Sequence, residues 1–464
     1  MVKGNQLQII PTNTTFVNGG NNTLTENTEN AQSIQLPVSI ACLASETPVL
    51  HYQPLVGSAI KDETELSEVI GDLVISEAGF RSMNSPVWFD YSSSVSIYSY
   101  IADLLQRGND RLRRCLYEGI FSSQIFKVAC NHFLGNQVIL LMVSRSRTSL
   151  EQQYIVTALS GQMVELSCAR YATRIVQEVL QKFDMPTCGG LISELKQNAH
   201  MLITHNYGSH VFEVIFGRMR PLNYGFIIDE ITETNAITGN VVCDKHGCRI
   251  LEISIQVLVS EVRQWDSSVA AEFLKKLIDC IVDICDVDVV ANEYGNFVVQ
   301  RIIAIQYLSE FADRIIKNAI SGNVLVLSQK KHGSHVIQTA LRYATPKSLY
   351  LMMCEIFDGY DIDRSGKDAL DVLMLDVYGN YVVQTMLGVA IDVKDGKRDG
   401  LVEWFERLAG RLLRARSTII NYSSGKKLIG TLNEILLASV NENSPELQML
   451  ATVNNNNPRM LRNV

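Results

Sequence analysis

A short element recurs along this chain at nearly regular intervals, and this periodicity constrains the fold more than any other feature. The clearest copies are YATRIVQ (171–177), YGSHVFE (207–213), HGCRILE (246–252), YGNFVVQ (294–300), HGSHVIQ (332–338) and YGNYVVQ (378–384). Counted from the residue after the Gly or Ala, they begin at 173, 209, 248, 296, 334 and 380, at steps of 36, 39, 48, 38 and 46. Such periods with helix-forming flanks are typical of α-solenoids, in which each unit buries its apolar face against its neighbours.

Weaker copies extend the periodicity in both directions. LGNQVIL (134–140) begins at Asn136, 37 residues before the element at 173, and SYIAD (99–103) lies a further 37 residues upstream. SSGKKLIG (423–430) is a degenerate copy after the last clear one. We therefore expect the repeats to continue beyond the six clear copies.

The two long steps predict insertions after the units at 248 and 334. The second insertion contains the loop-like sequence DGYDIDRSGKD (358–368). Polar side chains that can cap the first amides of a helix stand four residues before three of the element starts. They are Asp244, Asn292 and Asp376.

The five positions of the element separate into chemically distinct columns. On a helix, positions 1 and 5 share a face with position 2 beside them, whereas positions 3 and 4 turn away. Positions 3 and 4 are apolar in all seven recognisable copies and are predicted to form the core. Position 1 is small and polar: Asn136, Thr173, Ser209, Cys248, Asn296, Ser334 and Asn380. Position 5 holds Gln177, Glu213, Glu252, Gln300, Gln338 and Gln384, with Leu140 as the exception.

Position 2 carries a flat side chain in each of the six clear copies. The residues are Arg174, His210, Arg249, Phe297, His335 and Tyr381. Flat side chains at this spacing can stack on the bases of single-stranded RNA, with one base inserted between successive units. Positions 1 and 5 would then reach the Watson–Crick edge of that base: an Asn/Gln pair complements uracil, a carboxylate accepts from guanine N1–H and N2–H, and a small residue with Gln suits adenine.

Charge and composition differ between the ends of the chain and its body. The formal net charge is −8 for 464 residues. Residues 1–80 hold two basic side chains against nine acidic ones, which leaves the rest of the chain close to neutral. Residues 1–60 are predicted to be a disordered Asn/Thr-rich tail, and 441–464 a C-terminal tail. No apolar run is long enough for a membrane span and no secretory signal is recognisable, so we expect a cytoplasmic protein, with a nuclear or nucleolar location as the alternative.

The element, its spacing and the degenerate final copy resemble the Pumilio/FBF (PUF) family of RNA-binding proteins over residues 80–440. The resemblance implies an all-α, right-handed α-solenoid, a crescent of about eight three-helix repeats with capping repeats. It also implies that single-stranded RNA lies antiparallel on the concave face, so that the last repeat reads the 5′ base. Family members mostly bind 3′ untranslated regions of messenger RNA and repress translation or stability with protein effectors of translation or deadenylation. We expect the same partners here, and a monomer that binds no membrane.

The residues depart from the usual family pattern in several repeats. Ser334 is paired with Gln338 where the family usually has Glu, whereas Ser209/Glu213 stands where Asn/Gln is usual and Glu252 where Gln is usual. The first two repeats carry Leu140 and Asp103 at position 5. Carried over repeat by repeat from 380 back to 173, the family's code implies the order U, A or a weak choice, U, G, G, A.

Two other classes of function compete with RNA recognition. The acidic N-terminus and the altered first repeats would fit a solenoid that binds proteins, as HEAT and armadillo arrays do, but such a surface needs no stacking and amide columns in register. A factor for ribosomal RNA processing with reduced specificity is a second alternative. We expect no enzyme, cofactor or metal site, because the sequence has no nucleophile–base signature, phosphate-binding loop or metal-ligand spacing.

Overall fold

The computed structural model of the chain describes residues 91–122, 124–364 and 366–440. These residues form α-helices with two short stretches of 3₁₀ and π helix, and this part of the chain contains no strand. The two predicted tails, 1–60 and 441–464, and the first residues of the predicted repeat region, 80–90, lie outside it. Among the described helices, no single helix is long and apolar enough to cross a membrane. One pair of consecutive helices, bent by 113° at the break between them, reaches that length and apolar content only when the two are taken together.

The helices are numbered here in chain order. The first nine are α1 (Tyr91–Arg107), α2 (Asp110–Phe121), α3 (Gln124–Cys130), α4 (Phe133–Arg145), α5 (Ser149–Leu159), α6 (Met163–Cys168), α7 (Ala172–Lys182), α8 (Met185–Ser193) and α9 (Ala199–Thr204). The next eight are α10 (Ser209–Arg218), α11 (Pro221–Ile231), α12 (Asn235–Val242), α13 (Gly247–Trp265), α14 (Ser268–Ile284), α15 (Val287–Ala291), α16 (Gly295–Ala304) and α17 (Ser309–Ile315). The last eight are α18 (Val324–Ser328), α19 (Lys331–Tyr343), α20 (Pro346–Asp358), α21 (Ala369–Leu375), α22 (Gly379–Lys394), α23 (Glu403–Arg414), α24 (Arg416–Ile419) and α25 (Ser423–Val440).

The helices repeat in threes, and every third helix belongs to one continuous layer. Each member of this layer packs against the next: α1, α4, α7, α10, α13, α16, α19, α22 and α25. We call this layer the recognition layer, because each repeated element lies on one of its helices. The predicted all-α solenoid of three-helix repeats is therefore confirmed, and the weak copies at 99, 136 and 423–430 lie on α1, α4 and α25 of the same layer.

The apolar columns of the element form the core of the solenoid. Positions 3 and 4 of the six clear copies are at most 1% exposed, for example Val298 and Val299 on α16. In the weaker copy on α4, Ile139 is fully buried whereas Val138 is partly buried against the same core. Burial of these side chains on both sides of each recognition helix joins neighbouring repeats into one hydrophobic core.

The two long steps have different structural causes. The extra residues after 248 extend α13 and α14 to 19 and 17 residues, so the predicted insertion lengthens two helices and forms no long loop. The extra residues after 334 form an irregular connection between α20 and α21, as the sequence predicts. Tyr360 anchors this connection, since its hydroxyl donates to Glu355 and accepts from the amide of Leu325 at 3.0 Å.

Three carboxylates accept hydrogen bonds from backbone amides at the start of a helix that lies about 30 residues earlier in the chain. Glu194 accepts from the amides of Gly161 and Met163 at 2.8 and 3.3 Å, and Glu230 accepts from those of Gln197 and Ala199 at 2.6 and 2.8 Å. Glu355 does the same at Gly322 and Val324, at 2.8 and 2.9 Å. A carboxylate at the N-terminus of a short helix satisfies amides that have no partner within the helix and interacts favourably with its dipole.

The glycine at the start of the element allows the recognition helix to approach the helix that precedes it closely. A Cβ at Gly247 would lie 2.3 Å from the carbonyl oxygen of Val241, and one at Gly333 would lie 2.6 Å from that of Leu327. Both distances are far below van der Waals contact, so a larger residue would push the two helices apart.

Candidate functional site

Positions 1, 2 and 5 of the element lie next to one another along the recognition layer, at different depths. Every position-1 side chain is nearly buried, at 1–6% exposure. The position-5 and position-2 side chains are half-buried or exposed, the most open being Tyr381 at 53%. The sequence predicted that positions 1 and 5 project from one face. Positions 1 and 5 do lie on one face, but position 1 lies beneath position 5, so positions 2 and 5 form the accessible part of that face.

The two Asn/Gln pairs have the same internal hydrogen bonding. Asn296 Nδ2 donates to the carbonyls of Asn292 and Glu293 at 2.8 and 2.9 Å, and its Oδ1 accepts from Gln300 Nε2 at 2.8 Å. In the last repeat, Nδ2 of Asn380 likewise donates to two carbonyls of the preceding turn at 2.8 Å, and its Oδ1 accepts from Gln384 Nε2 at 3.1 Å. Position 1 therefore orients the glutamine amide from below, and the second Nε2 hydrogen and a lone pair of Oε1 remain available for a base.

Position 1 has a different role in the repeats nearer the N-terminus. Asn136 Nδ2 donates to the carbonyl of Tyr171 at 2.7 Å, and Thr173 Oγ1 donates to that of Tyr207 at 3.2 Å. Both carbonyls immediately precede the next recognition helix, so these side chains join consecutive repeats. Thr173 also accepts from Gln177 Nε2 at 3.1 Å, whereas the aliphatic Leu140 packs against the core above Asn136.

Two further position-1 residues have little capacity to contact a base directly. Ser334 Oγ donates to the carbonyl of Lys331 at 3.0 Å, and Gln338 Nε2 donates to the backbone carbonyl of Ser334 at 3.1 Å. The pKa of the Cys248 thiol is raised to about 12, mainly by burial and to a smaller extent by the negative charges of Glu252 and Asp244. Cys248 therefore remains a thiol at neutral pH, and its Sγ donates to the carbonyl of Lys245 at 3.5 Å. Ser209 is buried as well.

The two position-5 carboxylates each contact an arginine of the following repeat. Glu213 Oε1 lies 3.1 Å from Arg249 Nε and 3.3 Å from His210 Nδ1. Glu252 Oε1 accepts from Arg301 Nε at 3.2 Å and lies 3.2 Å from Arg301 Nη2. Burial raises the pKa of Glu252 above its ordinary value, and the positive charges of Arg301 and Arg249 only partly offset that rise.

The flat residues of position 2 stand beside these amides and carboxylates. His335 is half-buried, and burial together with His332, Lys331 and Arg342 lowers its pKa, so its ring is neutral at pH 7 and can stack as an aromatic surface. Arg174, His210, Arg249 and Phe297 are half-buried too. The slot beside the recognition helix of each of the six clear copies thus has one flat wall and a polar edge, whereas the corresponding residues on α4 are Gln137 and Leu140.

The predicted caps are present, and two others were missed. Oδ1 of Asp244, of Asn292 and of Asp376 each accepts from the two amides that open the following recognition helix, at 2.8–2.9 Å. His205 occupies the same position on the previous repeat, where its Nδ1 accepts from the amides of Tyr207 and Gly208 at 3.2 Å. His132 Nδ1 accepts from the amide of Gly135 at 3.5 Å. The spacing of four residues before the element start could have identified both, but histidine is not a usual cap residue.

A further column, one residue after position 5, was not recognised from the sequence. Arg301 reaches back to Glu252 as described, Thr339 Oγ1 donates to Gln300 Oε1 at 3.0 Å, and Thr385 Oγ1 donates to Gln338 Oε1 at 3.4 Å. We call this column position 6. Within the described part of the chain, no group of three or more His, Cys, Asp or Glu side chains could hold a metal ion.

Comparison with known protein families supports the same repeat register. A model of the "Pumilio-family RNA binding repeat" matches residues 162–196, 198–232, 240–264, 287–304, 323–357 and 372–392. Each match contains one of the six clear elements. The weaker copies on α1, α4 and α25 lie outside the matched segments.

Individual relatives and solved structures cover most of the repeat region. Pumilio domain-containing protein 7 of Caenorhabditis elegans is 30% identical over 337 residues, 70% of this chain and 69% of that protein. Fem-3 mRNA-binding factor 1 of the same organism is 30% identical over 330 residues, and the alignment spans 66% of this chain and about half (53%) of the relative. The crystal structure of PUF-6 in complex with 5BE13 RNA matches 72% of this chain and 94% of that chain, with a TM-score of 0.66 and 28% identity. The helical repeats, their register and these similarities show that the chain belongs to the Pumilio family.

Proposed function

We propose that this chain binds single-stranded RNA in a sequence-specific manner along the recognition layer, one base per repeat. The observation that carries the proposal is the repeated juxtaposition of a flat position-2 side chain with a polar position-5 side chain, as at Arg249 and Glu213, 3.1 Å apart. The flat side chain can stack on a base, and the polar side chain can form hydrogen bonds with the edge of that base. Relatives that include an mRNA-binding factor and a PUF domain crystallised with RNA support RNA as the class of ligand.

The polar edge differs from repeat to repeat, which supports discrimination among bases. Gln300 and Gln384 each present an amide oriented by an asparagine, which suits uracil, whereas Glu213 and Glu252 present acceptors, which suit guanine. Gln338 and Gln177 present amides over smaller residues and suit adenine. The proposed core is therefore UAUGGA, read from the repeat at 380 to the repeat at 173.

Selection of bound sequences from a random RNA pool by the full chain tests this proposal. Enrichment of a core with uracil at the first and third positions and guanine at the fourth and fifth supports it. A pool of single-stranded DNA of the same design is the control, because position-specific base reading and ribose contacts should make RNA the better ligand. If no sequence is enriched, the protein-binding scaffold becomes the better account.

We further propose that the bound RNAs are messenger RNAs recognised in their 3′ untranslated regions, and that the chain acts as a cytoplasmic monomer that recruits protein effectors to repress translation or stability. The family membership supports this role. Crosslinking in cells that express the chain is the test: sites concentrated in 3′ untranslated regions support it, whereas sites concentrated in ribosomal RNA favour a processing role.

A further inference from the structure

We propose that, in the repeats at 296, 334 and 380, the side chain at position 6 positions the base-reading residue of the preceding repeat. This inference rests on the proposed RNA binding and adds to it the residues that orient the base-reading groups. Three consecutive repeat junctions carry the contact. Arg301 on α16 holds Glu252 on α13, Thr339 on α19 holds Gln300 on α16, and Thr385 on α22 holds Gln338 on α19.

The chemistry of each position-6 residue matches the group that it contacts. The carboxylate of Glu252 faces a guanidinium, which can donate two hydrogen bonds to it and carries the opposite charge. The two glutamine amides each face a threonine hydroxyl, which donates to the amide oxygen. In each case the donor comes from the next repeat, so the base-reading side chain is held by two different helices.

For Gln300, Asn296 fixes which end of the amide points toward position 1, and the position-6 hydroxyl of Thr339 holds the oxygen end in place. Gln300 donates through Nε2 to Asn296 and accepts at Oε1 from Thr339, and reversal of the amide would place Oε1 against Oδ1 of Asn296, two acceptors together. A uracil edge offers acceptors on either side of one donor, so reading it depends on that orientation. Without the hydroxyl, the amide can rotate and discriminate less well. The hydroxyl of Thr385 lies 3.4 Å from Gln338 Oε1 and donates more closely, at 3.0 Å, to the carbonyl of Tyr381 on its own helix, so its effect on Gln338 should be smaller than that of Thr339 on Gln300.

For Glu252, Arg301 supplies both orientation and charge. The groups that face this carboxylate are Arg301 on α16, and Arg249 and Cys248 on its own helix, while Glu213 on α10 is itself paired with Arg249. Since burial already raises the pKa of Glu252, removal of Arg301 should raise it further. A neutral carboxyl group offers a donor where guanine also has donors, so guanine preference should weaken as the pH falls through this pKa.

The first experiment measures base discrimination by the full chain at the third base of RNAs with the core UAUGGA. In Thr339→Val, which keeps the shape and removes the hydroxyl, preference for uracil should fall about three- to tenfold, the net effect of one hydrogen bond. Thr339→Ser keeps a hydroxyl and should retain most of the preference. Thr204→Val is the matched control, because Thr204 donates only to carbonyls of its own helix. Equal thermal melting temperatures of all variants would show that the fold is intact.

The second experiment measures guanine preference at the fourth base over a series of pH values from basic to acidic, because protonation of Glu252 should remove the acceptor that guanine needs. Arg301→Met should lower the preference about tenfold at the acidic end and less at the basic end, as expected for loss of a charge-assisted contact. Arg301→Lys keeps the charge and should restore the parent's pH profile. Arg314→Met is the control, because Arg314 also bridges two repeats, to Asp279 and Asp283, on outer helices α17 and α14.

The outcomes separate the two proposals. If the parent binds no RNA of the series, the proposed function fails and the positioning column fails with it. If the parent discriminates at the third and fourth bases and both position-6 variants discriminate as the parent and the controls do, only the positioning column is overturned. Parent binding without preference at these two bases also overturns it. A pH-independent loss in Arg301→Met would overturn the charge argument and leave a purely structural contact.

Discussion

At the scale of single residues, Arg249 and Tyr381 occupy the same column but differ in what they contact. Arg249 lies 3.1 Å from the carboxylate of Glu213, whereas Tyr381 is exposed at the last clear repeat. Arg249 can therefore both stack on a base and hold the base-reading group of the neighbouring repeat. Tyr381 is expected to contribute stacking alone.

This difference predicts distinct effects of the two alanine substitutions on RNA binding. Tyr381→Ala should weaken binding by about 1–3 kcal/mol with base preference retained, because a stacking surface is tolerant of sequence. Arg249→Ala should weaken binding by a similar amount and also reduce guanine preference at the fifth base. Tyr350→Ala, at an exposed tyrosine on the outer helix α20, is the control. Titration of the full chain with matched RNAs measures both quantities, and unchanged affinity in both variants would contradict the stacking interpretation.

The columns on the surface of a helix could be predicted from the sequence, whereas contacts between repeats could not. Periodicity shows that Val382 and Val383 turn inward and that Tyr381 does not, because helical geometry alone decides it. The contact of Thr339 with Gln300 joins residues 39 positions apart, and its existence depends on how two repeats pack. The burial of position 1 was missed for the same reason: the next repeat and the preceding turn cover it.

At the scale of the helical element, the close approach between a recognition helix and the helix that precedes it can be tested at Gly333. Gly333→Ala should destabilise the fold by about 1–3 kcal/mol, because the new Cβ would lie 2.6 Å from the carbonyl oxygen of Leu327. Gly388→Ala in the middle of α22 is the matched control: its Cβ would have nothing within 4 Å, and alanine should stabilise the helix by about 0.5–1 kcal/mol. Urea unfolding of the two variants measures both. Equal effects of the same sign would refute the close-contact argument.

A second element-scale prediction concerns the buried ion pair that ties α2 to α5. Arg113 Nε lies 2.7 Å from Glu151 Oε1, both side chains are nearly buried, and Arg113 also donates to carbonyls of Leu105 and Arg145. Burial alone would raise the pKa of Glu151, but hydrogen bonds from Arg113 and from the amides of Arg147 and Thr148 lower it below its ordinary value. The carboxylate therefore stabilises the fold fully above its unfolded pKa, about 4.3, and this contribution is lost as the pH falls through the lower folded pKa.

Glu151→Gln should accordingly lower the free energy of unfolding by about 3 kcal/mol at neutral pH, since it leaves a buried guanidinium without its counterion. The difference from the parent should shrink below about pH 4. Asp229→Asn, which breaks the exposed pair with Lys276, should change it by less than about 1 kcal/mol. A difference for Glu151→Gln that is small at neutral pH, or constant down to about pH 2, would show that the pair is not the stabilising unit.

The insertion after 248 shows a limit in predicting secondary structure from this sequence. A step of 48 residues reveals that residues are added, but their composition cannot decide between a loop and longer helices. The added residues carry a helical apolar pattern, and α13 places Leu258 and Val259 in the core, so the helices continue. In the other insertion, the polar sequence around Asp361 offers no apolar face, and the chain leaves the helix.

At the scale of the whole molecule, the repeated architecture explains why the fold class was predictable from one sequence. Each repeat buries its apolar columns only against its neighbours, so the same pattern must recur and becomes visible as a period. The charge of the whole chain was a poorer guide. The value of −8 would argue against a nucleic-acid partner, yet most of the excess lies within residues 1–80.

The near-neutral body predicts a weak dependence of RNA affinity on salt. Few phosphates should be neutralised by basic side chains of the protein. The carboxylates Glu213 and Glu252 also partly neutralise the arginines that they contact, Arg249 and Arg301. A plot of log K against log salt should therefore be shallow. A slope as steep as expected for about eight phosphate contacts would contradict this and would point to a concentrated basic groove.

Exchanging the amide and the carboxylate of two repeats shows whether one position-5 side chain reads one base. Gln338→Glu should create guanine preference at the second base, worth about 1–3 kcal/mol by analogy with bidentate base contacts and reduced somewhat by the nearby carbonyl of Ser334. Glu213→Gln should weaken guanine preference at the fifth base only. Equilibrium binding of RNAs varied singly at these two bases, by the parent and both variants, measures it. A parent that already requires guanine at the second base, with no change in Gln338→Glu, would contradict the claim.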